Sequence, residues 1–142
     1  MTKAVVVDSD AIFAIYNPND PLNAQVTQTF QELVNQGYQL VYPTSVIFEV
    51  ISLFQRVLPT PTVTAKLIEL INNDQILIHV VEEDTLKESA TLFNPAVSKK
   101  NTLIDCSVVV IAKKIKADGV FAYDEFYTKQ GLKPAEDLLK PN

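Results

Sequence analysis

Residues 5–13, VVVDSDAIF, decide how the rest of the chain is interpreted. Three β-branched residues preceded by Ala4 are typical of a short strand that is buried on both faces. Asp8 and Asp10 follow this strand directly, and apolar residues resume at Ala11. Two acids at the end of a buried strand either begin a helix or hold a group of positive charge.

The alternation of apolar strands and helical patterns continues along the chain. It predicts an α/β fold in which a parallel sheet of four to five short strands lies between helices on both faces, in three layers. Gly37 is predicted to end a helix and Gly119 to form a turn, whereas the tail from Gly131 to Asn142 shows no strong element. Strands are predicted at Ala4–Val7, Gln39–Tyr42, Gln75–Val81 and Val120–Tyr123, and helices at 11–16, 22–36, 44–58, 62–73, from Glu82 onward, and at 102–117.

Length and composition predict an ordinary globular protein. The 142 residues suit one domain, 1–142, and the apolar content of 47% supplies a core without disulfides or structural metals. No apolar run approaches the length of a bilayer span, and the single cysteine, Cys106, has no internal disulfide partner. We therefore expect a cytoplasmic protein with no membrane partner.

The charge balance restricts how the protein can bind nucleic acid. Twelve basic residues against seventeen acidic ones give a net charge of −5. This composition is poorly suited to binding through phosphate contacts alone. The acidity does not exclude a nucleic-acid substrate, but it makes a metal ion or a partner more necessary.

Four acids fall at related positions of the predicted fold. Asp8 follows the first strand, Asp124 follows the fourth, and Glu49 lies in the second turn of the helix after the second strand. Strand and helix order alone places these three at the carboxyl edge of the sheet, where ligands bind in such folds. Asp105 joins them if its helix begins near Thr102.

Several acids also have purely structural interpretations. Asp10 is a candidate N-cap of the helix at 11–16. Thr102 and Asp105 have the spacing of a capping box, so Asp105 alone is better explained as structural. The acids at the start of the next predicted helix are expected to be solvated and favoured by its dipole; they are Glu82, Glu83 and Asp84.

The helix at 44–58 is apolar around most of its circumference, which predicts that it is largely buried. A narrow polar stripe remains, formed by Ser45, Glu49, Ser52 and Arg56. Glu49 either pairs with Ser52 or Arg56, or faces a cleft at the ligand edge.

Carboxylates that converge on one cleft repel one another unless a cation neutralises them. Mg²⁺ and Mn²⁺ are the ions that an all-oxygen cluster prefers. His79 and Cys106 have no partners at ligand spacing, so zinc is disfavoured. His79 is expected to be a buried or edge histidine of its strand.

Three segments together resemble the PIN-domain nucleases, especially the small VapC-type toxins of bacteria. These segments are VVVDSDAIFAIYNPNDPLNAQ, TSVIFEV and NTLIDCSVVVIAKKIKADGVFAYDEFYTKQGLKP, in this order. The resemblance implies a Mg²⁺- or Mn²⁺-dependent ribonuclease whose catalytic and metal-binding residues are Asp8, Glu49, Asp105 and Asp124. It also implies an RNA substrate, a homodimer in which the helices at 44–58 and 62–73 are candidate contacts, and an antitoxin partner.

Two residues depart from the family pattern. Ser9 fits the pattern after the first acid, but Asp10 replaces a small neutral residue and is a candidate extra ligand. Ala122 stands where relatives often carry Thr or Ser, two residues before Asp124. The candidate contacts to RNA are basic side chains near the acids, although any one of them is better explained as a solvated surface residue; they are Lys99, Lys100, Lys129, Lys133 and Arg56.

Two other functions compete with the nuclease. In a dehalogenase-type phosphatase, Asp8 would attack phosphate and Asp10 would act as the general acid. In a PIN-like binding module, the same fold would hold RNA or a protein without cutting, which Ala122 and the acidic composition favour. The presence of all four acids favours an active enzyme.

Overall fold

The computed structural model describes residues 2–96 and 100–139. At its centre lie β1 (Ala4–Val7), β2 (Gln39–Pro43), β3 (Leu77–His79) and β4 (Gly119–Phe121). Within the described residues these form a four-stranded sheet in the order β3-β2-β1-β4, and every neighbouring pair is parallel. The predicted α/β class with a parallel sheet is confirmed.

Helices carry the chain from each strand to the next, as parallel pairing requires. The six predicted helices are present with small differences at their ends, and two short helices follow β4. The described helices are α1 (Ser9–Tyr16), α2 (Asn23–Asn35), α3 (Thr44–Val57), α4 (Thr62–Asn72), α5 (Glu83–Leu92), α6 (Leu103–Lys114), α7 (Phe126–Lys129) and α8 (Ala135–Leu139). Within the described ranges, none of them is both long and apolar enough to span a bilayer.

The sheet is covered on both faces. Val5, Val6 and Val7 are each at most 1% exposed, and successive side chains of a strand point to opposite faces. Helix α6 packs against β1, β2 and β4 with α5 beside it, while α2 packs against β2, α1 and α8. The resulting core also includes Ile12, Leu33, Val46, Phe54, Leu67, Ile111 and Phe121.

Strand order brings the first and last predicted acids together. In the pairing of β1 with β4, Val7 lies opposite Phe121. The backbone N–H of Asp8 then donates to the carbonyl of Phe121 at 3.1 Å. Asp8 and the residues after β4 therefore share one end of the sheet.

The prediction that Gly119 forms a turn is wrong, because Gly119 is the first residue of β4. The N–H of Val120 donates to the carbonyl of Lys133 at 2.9 Å, and a Cβ at position 119 would lie 2.6 Å from that carbonyl oxygen. Glycine is needed because another backbone segment approaches it closely. Gly37, in contrast, ends α2 at φ 85°, as predicted.

The tail is more ordered than its sequence predicts. Helix α8 begins at Ala135, which is 1% exposed, and packs against α2 and β4. A helix of this length is unstable alone and depends on tertiary contacts. His79 lies on the edge strand β3 and is half-buried, in agreement with the expectation of an edge histidine.

Candidate functional site

Asp8 is a buried acid at the carboxyl end of β1, with an exposure of 3%. It occupies the N-cap of α1, where its Oδ1 accepts from the backbone N–H of Ser9 at 2.8 Å. Its Oδ2 accepts from the hydroxyl of Tyr127 at 2.7 Å. Both carboxylate oxygens are therefore held, at a helix end whose dipole favours negative charge.

Tyr127 joins Asp8 to a second acid. Its hydroxyl oxygen lies 3.3 Å from Oδ1 of Asp105, and the shorter distance makes Asp8 the stronger acceptor. Burial, with the negative charges of Asp8 and Asp105, raises the pKa of the Tyr127 phenol far above its ordinary value. The phenol therefore stays protonated as a donor between the two carboxylates.

Asp105 also completes the predicted capping box, which the structure confirms. Its Oδ2 accepts from the backbone N–H of Thr102 at 2.9 Å, and its own N–H donates to the Thr102 hydroxyl at 3.3 Å. The two interpretations of Asp105 are thus compatible, because one oxygen caps α6 and the other faces Tyr127.

Glu49 is half-buried, and Ser9 links it to Asp8, the acid that follows β1. The hydroxyl of Ser9 donates to Oε1 of Glu49. The alternative pairing with Ser52 is wrong, since the Ser52 hydroxyl donates to the carbonyl of Phe48 at 2.8 Å. The prediction that this helix is largely buried is also wrong, because Phe48 and Val57 are 76% and 54% exposed.

Asp124 follows β4 and is half-buried. Its Oδ1 accepts from the backbone N–H of Phe126 at 2.9 Å, which shapes the entry to α7. Its Oδ2 accepts from the side-chain amide of Asn101 at 3.2 Å. The loop before α6 is therefore tied to the end of β4.

Asp10 is not the N-cap, and that prediction is wrong because Asp8 holds this position. Asp10 lies in the first turn of α1, where its Oδ1 accepts from the N–H of Ala11 at 2.7 Å. Its Oδ2 accepts from the backbone N–H of Tyr123 at 2.9 Å. Asp10 thus fastens α1 to the residue that precedes Asp124.

The acids act on one another electrostatically. Burial raises the pKa of Asp8 well above its ordinary value and the charges of Asp10 and Asp105 add to this, while the bonds from Tyr127 and Ser9 oppose it. Asp10 is exposed as a residue, but protein atoms surround its carboxylate. This burial, with the charges of Asp124 and Asp105, raises the pKa of Asp10 to about 6.

The donor chemistry of these acids fits a hard divalent ion, because all donors are oxygens and their mutual repulsion is what a cation relieves. Their present arrangement is not a ready ligand set. Within residues 2–96 and 100–139, no group of three or more His, Cys, Asp or Glu side chains is placed to hold a metal ion.

The basic residues expected near the acids lie at the surface. Lys100, Lys129, Lys133 and Arg56 are exposed, and Lys99 lies outside the described residues. The acids at the start of α5 are exposed, as expected. Two of them make ion pairs, Glu83 with Lys87 at 3.0 Å and Asp84 with Lys114 at 2.8 Å.

Sequence reasoning missed Tyr127 and Asn101. Tyr127 is far from Asp8 in sequence, and an aromatic residue beside Phe126 indicates only a side chain that packs. Asn101 lies directly before Thr102, outside every predicted strand and helix. Neither side chain has a local sequence signal for its contact with an acid.

Comparison with known proteins supports the architecture. No protein-family model matches the chain, and no curated protein matches it by sequence. Among solved structures, VapC20 of Mycobacterium tuberculosis, described as a toxin that cleaves the sarcin-ricin loop, superposes with a TM-score of 0.77 at 14% identity, covering 91% of this chain and 96% of that chain. FitAcB from Neisseria gonorrhoeae superposes with a TM-score of 0.62 at 16% identity, covering 92% and 95%. The chain therefore has the PIN-domain fold, as its sequence resemblance predicts.

Proposed function

We propose that this protein is a divalent-metal-dependent ribonuclease, and that Asp8, Glu49, Asp105 and Asp124 form its active site. The observation that carries the proposal is the network of acids around Tyr127 and Ser9 at the carboxyl edge of a parallel sheet. A fold shared with a toxin that cleaves the sarcin-ricin loop supports an RNA substrate.

The same four acids would hold Mg²⁺ or Mn²⁺. A bound ion of this kind supplies an activated water and neutralises the charge that develops on the phosphate. The chain itself holds the acids in place: Tyr127 and the N–H of Ser9 orient Asp8, and the Ser9 hydroxyl orients Glu49. Asp10 fixes the backbone before Asp124 and so acts as a positioning residue.

Cleavage of RNA by purified protein tests this function. We expect cleavage with Mn²⁺, loss of cleavage when EDTA is added, and a loss of at least about 100-fold in Asp8→Asn and Asp124→Asn. Glu69→Gln, on the exposed surface of α4, is the matched control and is expected to cleave normally. Calorimetry with Mn²⁺ gives a readout that is independent of activity.

Two results would overturn the proposal. Protein that binds no divalent ion and cuts no RNA is not a metal-dependent nuclease, and the PIN-like binding module then becomes the better explanation. Cleavage that persists in both aspartate variants shows that the active site is elsewhere.

The phosphatase alternative is weakened by the contacts of Asp10. A general acid needs a carboxyl oxygen that is available to the leaving group, whereas both Asp10 oxygens accept backbone hydrogen bonds. Labelling with beryllofluoride separates the two enzymes, because an aspartyl-phosphate mimic forms on Asp8 only if this residue is a nucleophile.

We further propose a homodimer and an antitoxin partner. Phe48 and Val57 of α3 and Ile68 of α4 are large apolar side chains with substantial exposure, as expected at a protein interface. Light scattering tests the dimer: Phe48→Ser is expected to shift the mass toward the monomer, while Leu86→Ser on α5 is the control.

Co-expression with the product of an adjacent small gene tests the antitoxin. A cytoplasmic location is proposed from the single cysteine, which forms no internal disulfide.

A further inference from the structure

A cavity of about 240 Å³ lies beside the proposed active site and shares Asp124 with it. It opens along the end of β4, between this strand and the α7–α8 segment. The residues that line it include Ala122, Tyr123, Tyr127, Thr128, Pro134 and Glu136. A group bound in this cavity would therefore be adjacent to the reacting phosphate.

The walls of the cavity suit a flat, uncharged ring. Tyr123 is half-buried and contributes aromatic surface beside the small side chain of Ala122, whereas Tyr127, at 3% exposure, offers too little surface for a ring to stack on. Tyr123 is held by its bond to Glu136 at 3.0 Å and by contact with Phe121, with ring centroids 6.3 Å apart. Rings that are fixed before binding provide stacking surfaces at low entropic cost.

The charge of the cavity excludes a phosphate as its occupant. Asp124, Glu125 and Glu136 contribute carboxylates, and no Lys or Arg is among its described lining residues. Carboxylates instead accept hydrogen bonds from amino groups, as they do from the exocyclic amine of cytosine. The cavity thus favours a ring that carries N–H donors.

Glu136 is fixed as such an acceptor. Its Oε1 accepts from the hydroxyl of Tyr123 at 3.0 Å and from the side-chain amide of Gln25 at 2.6 Å. Both contacts of Glu136 from the described residues end at Oε1, so Oε2 is left to accept from a ligand. These protein contacts therefore orient the Glu136 carboxylate before a ligand binds.

From these observations we infer that the cavity is a nucleobase subsite, which binds an RNA base with an exocyclic amino group next to the cleaved phosphate. Stacking is supplied by Tyr123, and Glu136 accepts from the amino group. The inference rests on the proposed ribonuclease function for its role in cleavage. Binding of the base itself does not depend on catalysis.

The first experiment measures binding without metal or phosphate. Metal-free, isotopically labelled protein is titrated with cytidine, adenosine and uridine, and backbone amide shifts are followed by NMR. We expect saturable shifts at Tyr123, Tyr127 and Thr128 with cytidine or adenosine, and roughly fivefold weaker binding of uridine, which lacks the amine.

Two variants locate the binding to the cavity. Thr128→Phe, at an exposed position of the wall, fills the space and is expected to weaken nucleoside binding roughly tenfold. Glu136→Gln keeps the shape but is expected to reduce the preference for cytidine over uridine. Thr91→Phe makes the same change at an exposed position of α5 and is expected to have no effect.

The outcomes separate this inference from the nuclease proposal. If nucleosides shift the cavity amides while RNA is not cut, the subsite stands and the nuclease proposal fails. If RNA is cut but nucleosides do not bind, or Thr128→Phe binds them normally, the subsite is wrong. If free arginine shifts these amides and nucleosides do not, the cavity receives a basic protein side chain instead, and the inference is overturned.

Discussion

The hydroxyl of Tyr127 lies 2.7 Å from Oδ2 of Asp8 and 3.3 Å from Oδ1 of Asp105, so one neutral donor lies between two acids from different elements. Asp8 follows β1, Asp105 lies in the first turn of α6, and Tyr127 belongs to α7. A single side chain therefore connects three parts of the fold at the proposed active site. Its removal tests how far the acids depend on it.

Tyr127→Phe is expected to lower the free energy of unfolding by about 1–3 kcal/mol, because the buried Asp8 carboxylate loses a hydrogen-bond donor. Urea unfolding at neutral pH measures the change. Tyr38→Phe is the control, since Tyr38 lies at the opposite end of the sheet, where its ring contacts Lys3. Equal effects in the two variants would show that the Tyr127 hydroxyl does not support Asp8.

The stability of the protein without divalent ions is expected to fall as the pH rises from about 4 to about 6. The folded-state pKa values of Asp8 and Asp10 lie above their ordinary value of 3.8, so the folded chain keeps protons that the unfolded chain loses. Stability then decreases with pH in this window, and the loss is complete above the folded-state pKa values.

Urea unfolding at several pH values, with the wild type compared with Asp8→Asn and Asp10→Asn, checks this pH dependence. Each variant removes one of the titrating groups and is expected to show a shallower decline. Glu69→Gln, outside the cluster, is expected to decline like the wild type. A wild-type stability that rises from pH 4 to pH 6 by the same amount in every variant contradicts the expectation.

Thr102→Ala is expected to cost about 1 kcal/mol of stability, because the N–H of Asp105 loses its cap. Thr102→Ser keeps the hydroxyl and is expected to retain most of the stability. Thermal unfolding of both variants measures the difference. An alanine variant as stable as the serine variant would mean that the capping box contributes nothing.

Mn²⁺ is expected to stabilise the folded protein if the four acids bind it. At a free ion concentration of a hundred times its Kd, the gain is about 2.7 kcal/mol. Thermal unfolding with and without Mn²⁺ measures it, and Asp124→Asn is expected to lose most of the shift. A shift of equal size in Asp124→Asn would exclude this residue as a ligand.

The order of strand and helix patterns along the sequence predicts much of the fold and of the site. The alternation of strands and helices predicts which acids follow strands, so Asp8 and Asp124 are correctly placed at one end of the sheet. The capping box of Thr102 and Asp105 is predictable because both partners lie within one helical turn.

The features that sequence reasoning misses depend on contacts between distant segments. Tyr127 meets Asp8 across 119 positions of the chain, and the interaction of Gly119 with Lys133 depends on how the tail returns beside β4. The error on α3 has another cause. An apolar residue such as Phe48 satisfies the pattern of a buried helix wherever its side chain points.

Gly119→Ala tests the close approach of the tail to β4. The added Cβ would lie 2.6 Å from the carbonyl oxygen of Lys133, a backbone atom that moves only with its segment. We expect a loss of about 1–3 kcal/mol in stability from this overpacking, and shifted amide signals in α8, which follows Lys133. Gly37→Ala is the matched control, because its φ of 85° is strained for alanine but no atom lies within 4 Å of the new Cβ. The Gly37→Ala variant is expected to lose about 1 kcal/mol of stability, and its effect on the amide signals is expected to be local. If Gly119→Ala is more stable than Gly37→Ala and leaves the α8 signals unchanged, the tail does not pack closely against β4.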